Sequence, residues 1–316
     1  MLDSLHDSRV RAAGCAALLL AALLLVTGCA SAARAPLGPV VEPETLVERL
    51  DGPARGGLML IDVRDPAAFE REHIGGAVRL DAAAWKKESH TIDGSLEHVE
   101  RWRERLGSAG IDGRVPVVIY DDGRMTEAAR IWFILQHFGH PSASVLNGGF
   151  PAIRPLLKSS AVASGAGELA RAVAFRPQES RRGVIGLSMR PEVRSSIERG
   201  ETQVLDARTS DEYVGKLRHN NPRGGHLPTA INLPHAQMLD ERGRLKSPQE
   251  LARLLEDAGF ERGRPIVAHC ESGGRSSLAA MAAERAGFGP VRNYYGSFSD
   301  WSADLSCPVE SGRTPD

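Results

Sequence analysis

At 316 residues with 42% hydrophobic side chains, the chain is long enough for two domains with cores of ordinary size. A formal net charge of −1 gives no general attraction to nucleic acid or to anionic membranes. The ten histidines are scattered, with no pair at metal-ligand spacing beside cysteines, which argues against a zinc site.

The N-terminus reads as a targeting segment. Arg9 and Arg11 precede an uncharged apolar run from Ala12 to Val26. That run is short for a membrane-spanning helix, which needs about 20 residues, and suits a secretory signal. It ends in "LLLVTGC", with small residues before Cys29. This resembles a bacterial lipoprotein signal in which Cys29 is exposed by cleavage and lipidated; a plain signal peptide or a membrane anchor are the alternatives. Residues 1–28 are then the signal and 29–42, including "ASAARAPLGPVVE", a tether. The expected mature protein is exported and held by lipid chains rather than spanning the membrane, facing the periplasm or the cell exterior.

The remainder repeats itself. "LMLIDVRDPAAF" (58–69) matches "TQVLDARTSDEY" (202–213), "EHIGGAVRL" (72–80) matches "GHLPTAINL" (225–233), "RVPVVIYDD" (114–122) matches "GRPIVAHCE" (263–271), and "VLNGGFPAI" (145–153) matches "NYYGSFSDW" (293–301). Four matches in one order mark a tandem duplication. Within each copy, short β-rich runs such as "VVIY" and "PIVAH" alternate with helix-length segments such as "TEAARIWFILQHFG" and "SSLAAMAAERAGF". Such alternation predicts an α/β fold: two tandem domains, each a parallel β-sheet flanked by helices on both faces. The predicted boundaries are 43–157 and 184–310, with 158–183 a linker and 311–316 a tail.

Of the four cysteines, only Cys270 and Cys307 fall in the globular part. A disulfide between them is weighed against a free thiol at Cys270, which its surroundings favour. Cys270 follows a predicted strand, at the sheet end where ligands of open α/β folds bind. "ESGGR" then leads into a helix from about Ser276. Two glycines permit a tight turn with inward amides. Those amides, the helix N-terminus and Arg275 all favour the reactive thiolate, while Glu271 opposes it. An inert core cysteine would not need the "SGGR" that follows. Cysteine-dependent phosphatases share the general design, but with Cys-x5-Arg; here the spacing is Cys-x4-Arg.

The shorter loop, "DVR" and "DAR", the "EHIGGAV" and "GHLPTAI" elements, and the closing "NGGF" and "YGSFSDW" together resemble the rhodanese family of sulfurtransferases over about residues 43–305. The resemblance implies a persulfide formed on Cys270, which takes sulfane sulfur from a small donor and passes it to a thiophilic acceptor such as cyanide. Cys270 and Arg275 are then the catalytic pair, and Glu271, Ser272, Gly273, Gly274, Ser276 and Arg208 the substrate-binding set. No metal or organic cofactor is implied, and no nucleic-acid partner; an acceptor protein stays open. Thiosulfate is the first expectation as donor and 3-mercaptopyruvate the second, with a non-enzymatic sulfur relay as a third reading.

Asp121 stands where Cys270 stands in the second copy and cannot carry a persulfide, so the first domain should be silent. Its Gly123 and Arg124 are expected at most to shape the interface. Arg208 has an alternative structural role as an ion-pair partner. Glu212 occupies a place that resembles a cationic position of animal relatives, which weakens the case for anionic donors. The insertion "KLRHNNPRGGH" (216–226) offers Arg218, His219 and Arg223 either as cations for the pocket mouth or as a solvated loop. His226 and His269 are expected to be packed and hydrogen-bonded rather than acid–base groups.

Overall fold

The computed structural model describes residues 37–52, 57–178 and 185–312. The signal segment, Cys29 and the tether up to residue 36 lie outside the described residues. Among the described residues, no helix is long and apolar enough to cross a membrane.

The first copy runs β1 (Val40–Val41), α1 (Pro43–Asp51), β2 (Met59–Asp62), α2 (Pro66–Arg71), β3 (His73–Ile74), β4 (Ala77–Arg79), α3 (Ala82–Ser89), α4 (Val99–Ser108), β5 (Val117–Tyr120), α5 (Thr126–His137), β6 (Ala143–Leu146), α6 (Gly149–Ile153) and β7 (Val162–Ala163). The second runs β8 (Gly186–Ser188), α7 (Arg190–Glu198), β9 (Gln203–Asp206), α8 (Ser210–Tyr213), β10 (Ala230–Asn232), α9 (Pro248–Asp257), β11 (Ile266–His269), α10 (Gly274–Arg285), β12 (Val291–Tyr294) and α11 (Ser297–Ala303). The central strands β2, β5, β9 and β11 are short apolar runs, almost wholly buried, as expected where helices cover both faces of a parallel sheet.

The two five-stranded sheets have the same order, β1-β6-β5-β2-β4 and β8-β12-β11-β9-β10, with every ladder parallel. The duplication is therefore structural as well as sequential. Register places Tyr120 beside Asp62 and His269 beside Asp206, so each Asp-x-Arg turn abuts the loop that leaves the central strand. Even the small β3–β7 pairing has a counterpart, a bridge between His226 and Glu310.

Two features join the halves. The connecting segment lies along the first domain, with backbone hydrogen bonds from Val173 to Gly107, Arg176 to Asp112 and Gln178 to Gly139, each 2.9 Å. One apolar cluster also runs without a break from Trp102, Ile131 and Phe133 of the first domain to Leu278, Met281 and Tyr295 of the second. Helices α5 and α10 meet at that seam. A Cβ added to Gly274 would stand 2.7 Å from the Arg130 guanidinium and 3.1 Å from the Thr126 carbonyl oxygen. Only glycine lets the two helix starts approach so closely.

Candidate active site

The loop after β11 is built around its two glycines. Gly273 caps α10 with φ of 94°, a left-handed conformation, and a Cβ there would lie 2.8 Å from the Tyr295 ring. Two independent constraints thus exclude a side chain at Gly273. The turn delivers Cys270, which is free and buried, to the N-terminus of α10. Its Sγ accepts a hydrogen bond from the Gly273 amide at 3.1 Å and lies 3.7 Å from Ser297 Oγ. Ser297 also anchors the backbone, accepting from the Cys270 amide at 3.1 Å.

Burial pushes the Cys270 thiol up, but the Arg275 guanidinium, the Ser276 hydroxyl and the amides of Ser276 and Ser272 outweigh it and hold the thiol below its ordinary range. Arg275 is itself held. Its Nη1 and Nη2 each donate to the Glu212 carboxylate at 2.7 Å, a bidentate pair. Glu212 is nearly inaccessible and accepts from the Thr209 amide and hydroxyl as well. Burial opposes its ionisation, but Arg275 and Thr209 keep its carboxyl far below the usual range. His219 adds a third contact, with Nε2 3.0 Å from Glu212 Oε1.

Above the sulfur lies a cavity of about 450 Å³, lined by Glu271, Ser272, Gly274, Arg275, His219 and Asn220 of the second domain and by Lys86, Thr126, Glu127 and Arg130 of the first. Arg130 closes one wall. Its Nη1 donates to the Ser272 carbonyl at 2.6 Å and to Tyr295 Oη at 3.1 Å, and its Nε to Glu127 at 2.8 Å. Tyr295 in turn meets Ser89 Oγ at 3.2 Å. A buried cation of the first copy therefore fixes the backbone of the second copy's loop. The expected residue set contains none of the first-domain groups. A signal for one was present, a lone arginine in the otherwise apolar stretch "ARIWFIL" of α5.

The expected residues divide. Cys270, Glu271, Ser272, Gly274 and Arg275 line the cavity; Gly273 and Ser276 lie behind the sulfur and act on it by hydrogen bonding. Arg208 requires correction as a substrate-binding residue. It is 1% exposed, paired with Asp206 at 2.6 Å, bonded to the Gly225 carbonyl at 2.8 Å, and packed 4.0 Å over the Phe298 ring. Arg64 repeats that arrangement over Phe150 at 3.9 Å, in a domain with no reactive cysteine. A latch present in both copies serves the fold.

Within the insertion, His219 reaches the cavity, whereas Arg223 turns away to bind the carbonyls of Trp301, Ser302, Asp304 and Cys307. His269 is fully buried, its pKa pushed down to about 4 by burial, with Nδ1 3.3 Å from the Cys270 carbonyl oxygen. His226 stacks on Tyr213 at 3.7 Å. Cys307 is buried and free, so the alternative of a disulfide to Cys270 is not what the structure has.

Duplicated sheets, each with a cradle loop on its central strand and a thiol at the helix start in one copy only, define a tandem sulfur-handling domain pair. The sequence profile of the Rhodanese-like domain family matches residues 42–155 and again 189–304. The chain belongs to the rhodanese family, and its relatives are sulfurtransferases. It is 29% identical over 261 residues to a provisionally named thiosulfate sulfurtransferase 1 of Mycobacterium bovis, covering 78% of this chain and 89% of the relative. It is also 29% identical to human 3-mercaptopyruvate sulfurtransferase, covering 74% and 78%, and 27% identical to the enzyme of that name from Escherichia coli K12, covering 85% and 97%. An anaerobic ergothioneine biosynthesis enzyme from Chlorobium limicola shares the fold with a TM-score of 0.75 at 20% identity, covering 87% of this chain and 70% of that one.

Proposed function

We propose that the protein is a thiosulfate sulfurtransferase working through a Cys270 persulfide. The supporting observation is the sulfur itself: an accessible-cavity thiol with an amide donor at 3.1 Å and a guanidinium that lowers its pKa. In the first step the Cys270 thiolate attacks the sulfane sulfur of thiosulfate. The S–S bond of the donor breaks, its electron pair leaves with sulfite, and Cys270 carries S–S⁻. In the second, cyanide attacks the outer sulfur, thiocyanate leaves, and the thiolate returns. One difficult transfer becomes two substitutions. The cradle amides, Ser276 and Arg275 stabilise the anion in both states. The first domain, with Asp121 at the matching position, carries no sulfur.

One observation favours 3-mercaptopyruvate as an alternative donor. Arg275 is fully engaged by Glu212, and Arg130 by Glu127, so the cavity offers a dianion less positive charge than its arginine content suggests. A donor with a single carboxylate needs less. The reaction then gives the same persulfide and pyruvate, the departing carbon taking the thiol proton.

Thiocyanate formation from cyanide, with each donor in turn, tests the reading. Cys270→Ser should abolish it, and the ratio of kcat/KM values names the donor. A folded protein with a titratable thiol but silent with both donors overturns the enzyme reading in favour of a relay. Export and lipidation at Cys29 belong to the same proposal, resting on the sequence of the leader. Labelled palmitate should enter the full chain in a bacterial host and be lost in Cys29→Ala.

A further inference from the structure

Each copy sends the loop before its ten-residue helix, α4 or α9, against the other domain, and the two crossings are closed differently. Four residues before α9 stands Arg244; four residues before α4 stands Ser95. Arg244 fills its crossing. It packs on Gly148, where an added Cβ would lie 3.0 Å from its Cγ, and its Nη2 donates to Glu44 at 3.0 Å with Glu42 3.9 Å from Nη1. In the other crossing the arginine and both of its acceptors are missing together. Met189 and Pro191 hold the places at α7 that Glu42 and Glu44 hold at α1. Gly296, which follows β12 as Gly148 follows β6, is left facing a cavity of about 350 Å³. That volume is ordinary for a small-molecule site.

The walls of this cavity are mostly apolar: Leu187, Met189, Ile92, Leu96 and the rings of Tyr294 and Tyr295. Among the described residues it shares no lining residue with the cavity over Cys270, and neither lysine nor arginine lines it. Its one carboxylate, Asp300, is already matched by Arg190 and by the Tyr294 hydroxyl, each at 2.6 Å. A charged ligand therefore finds no free partner of opposite sign. His90 supplies directed polarity instead. Its ring lies 5.4 Å from that of Tyr295, and its Nδ1 is 2.8 Å from the Lys86 carbonyl oxygen, which can only accept. The neutral ring thus carries its proton on Nδ1, and Nε2 is an acceptor with no hydrogen-bond partner among the described residues. We infer that this cavity is a second ligand site, separate from the one over the sulfur, for an uncharged aromatic molecule that bears an N–H or O–H donor. The ring takes the space that the Arg244 side chain fills in the other crossing, against Gly296, Leu187 and Met189, and the donor meets His90 Nε2.

The test titrates indole into the full chain by calorimetry at about pH 8, where imidazole is neutral. Indole should bind saturably and about fivefold more tightly than 1-methylindole, which keeps the ring and lacks the donor; that ratio corresponds to one neutral hydrogen bond. Indole-3-acetate, which adds a carboxylate, should bind more weakly than indole. His90→Phe should bring indole down to the affinity of 1-methylindole and leave 1-methylindole where it was. Ser95→Arg, which restores the arginine of the other crossing, should weaken both by about tenfold or more at an unchanged urea midpoint. Carboxamidomethylation of Cys270 should leave the affinity for indole as it was. Absence of saturable indole binding overturns the inference, and so do equal affinities for indole and 1-methylindole in the unaltered protein. A folded Ser95→Arg that binds indole undiminished overturns it as well. Loss of indole binding on alkylation of Cys270 overturns it too, because the probe then occupies the cavity over the sulfur.

Discussion

The loops that leave β5 and β11 occupy the same place in the same fold and do opposite things. After β11, three steps lead from Cys270 to the left-handed cap Gly273, and the sulfur is left facing a cavity. After β5, four steps lead from Asp121 to the left-handed cap Met125, and the aspartate folds back into its own cradle. Its carboxylate accepts from the Gly123 and Met125 amides at 3.0 Å and the Ala128 amide at 3.2 Å. The first cradle is therefore filled by a side chain that belongs to it. The second helical residue differs too, Arg275 in α10 and Glu127 in α5. Arg124, which looks like the retained arginine in sequence, is exposed and paired with Asp122. The copy that lacks the thiol still helps to build the site of the other: the start of α5 lines the Cys270 cavity, and Arg130 holds the Cys270 loop.

The sharpest way to break this comparison is to move the nucleophile. In a Cys270→Ser background, Asp121→Cys should remain roughly a thousandfold or more below the unaltered protein in thiocyanate formation. A thiolate at position 121 would have Glu127 where the second copy has Arg275. Activity at even a few per cent of the original would show the two loops to be interchangeable.

Next comes the cation. Arg275→Met removes the main stabiliser of the thiolate and leaves Glu212 buried with only Thr209 and His219. The rate of alkylation by iodoacetamide at pH 6 should fall about tenfold or more as the thiol midpoint rises. The direction is set by Cys270 lying below its ordinary pKa, so the loss is greatest at low pH and closes as pH approaches 9. Arg275→Lys should restore most of the thiolate but not the bidentate grip on Glu212.

Arg130 is a positioning residue, and its loss should be felt across the seam. Arg130→Met frees the Ser272 carbonyl and should lower kcat several-fold to about tenfold, with a smaller change in KM. Arg130→Lys, able to reach one of the same acceptors, should recover part of kcat. An unchanged kcat in Arg130→Met would reduce the first domain to a scaffold.

The smallest effect is on stability. Burial raises Asp121 to about 6 despite its three amide donors. A carboxyl raised in the folded state contributes stability at acid pH that is lost as pH climbs from about 4 through 6. His269 runs the other way: at about 4 when folded, it destabilises the protein as pH falls below its ordinary value near 6.5. Asp121→Asn should remove only the first trend. Urea titrations at pH 4.5 and 7 should therefore show the variant gaining on the unaltered protein at the higher pH by about 1–2 kcal/mol. Asparagine returns only part of the three amide bonds, which keeps the gain small.

The amino-acid sequence by itself determined the duplication, the strand-loop-helix around Cys270, the Cys-x4-Arg spacing and the silence expected of Asp121. The duplication is legible because the same strings recur in the same order, and the rest because side-chain periodicity, glycine in a turn and short spacings act over a few residues. The tertiary structure alone decided which arginine does what. Arg208 and Arg275 sit in equally suggestive motifs, yet Arg208 leaves the end of β9, turns back onto Asp206 and is sealed beneath Phe298, whereas Arg275 lies in the first turn of α10 and faces the cavity. Arg130 reaches Ser272 across 142 residues of sequence. Its partner is set by the packing of α5 on α10, a contact between separate domains that no spacing along the chain encodes.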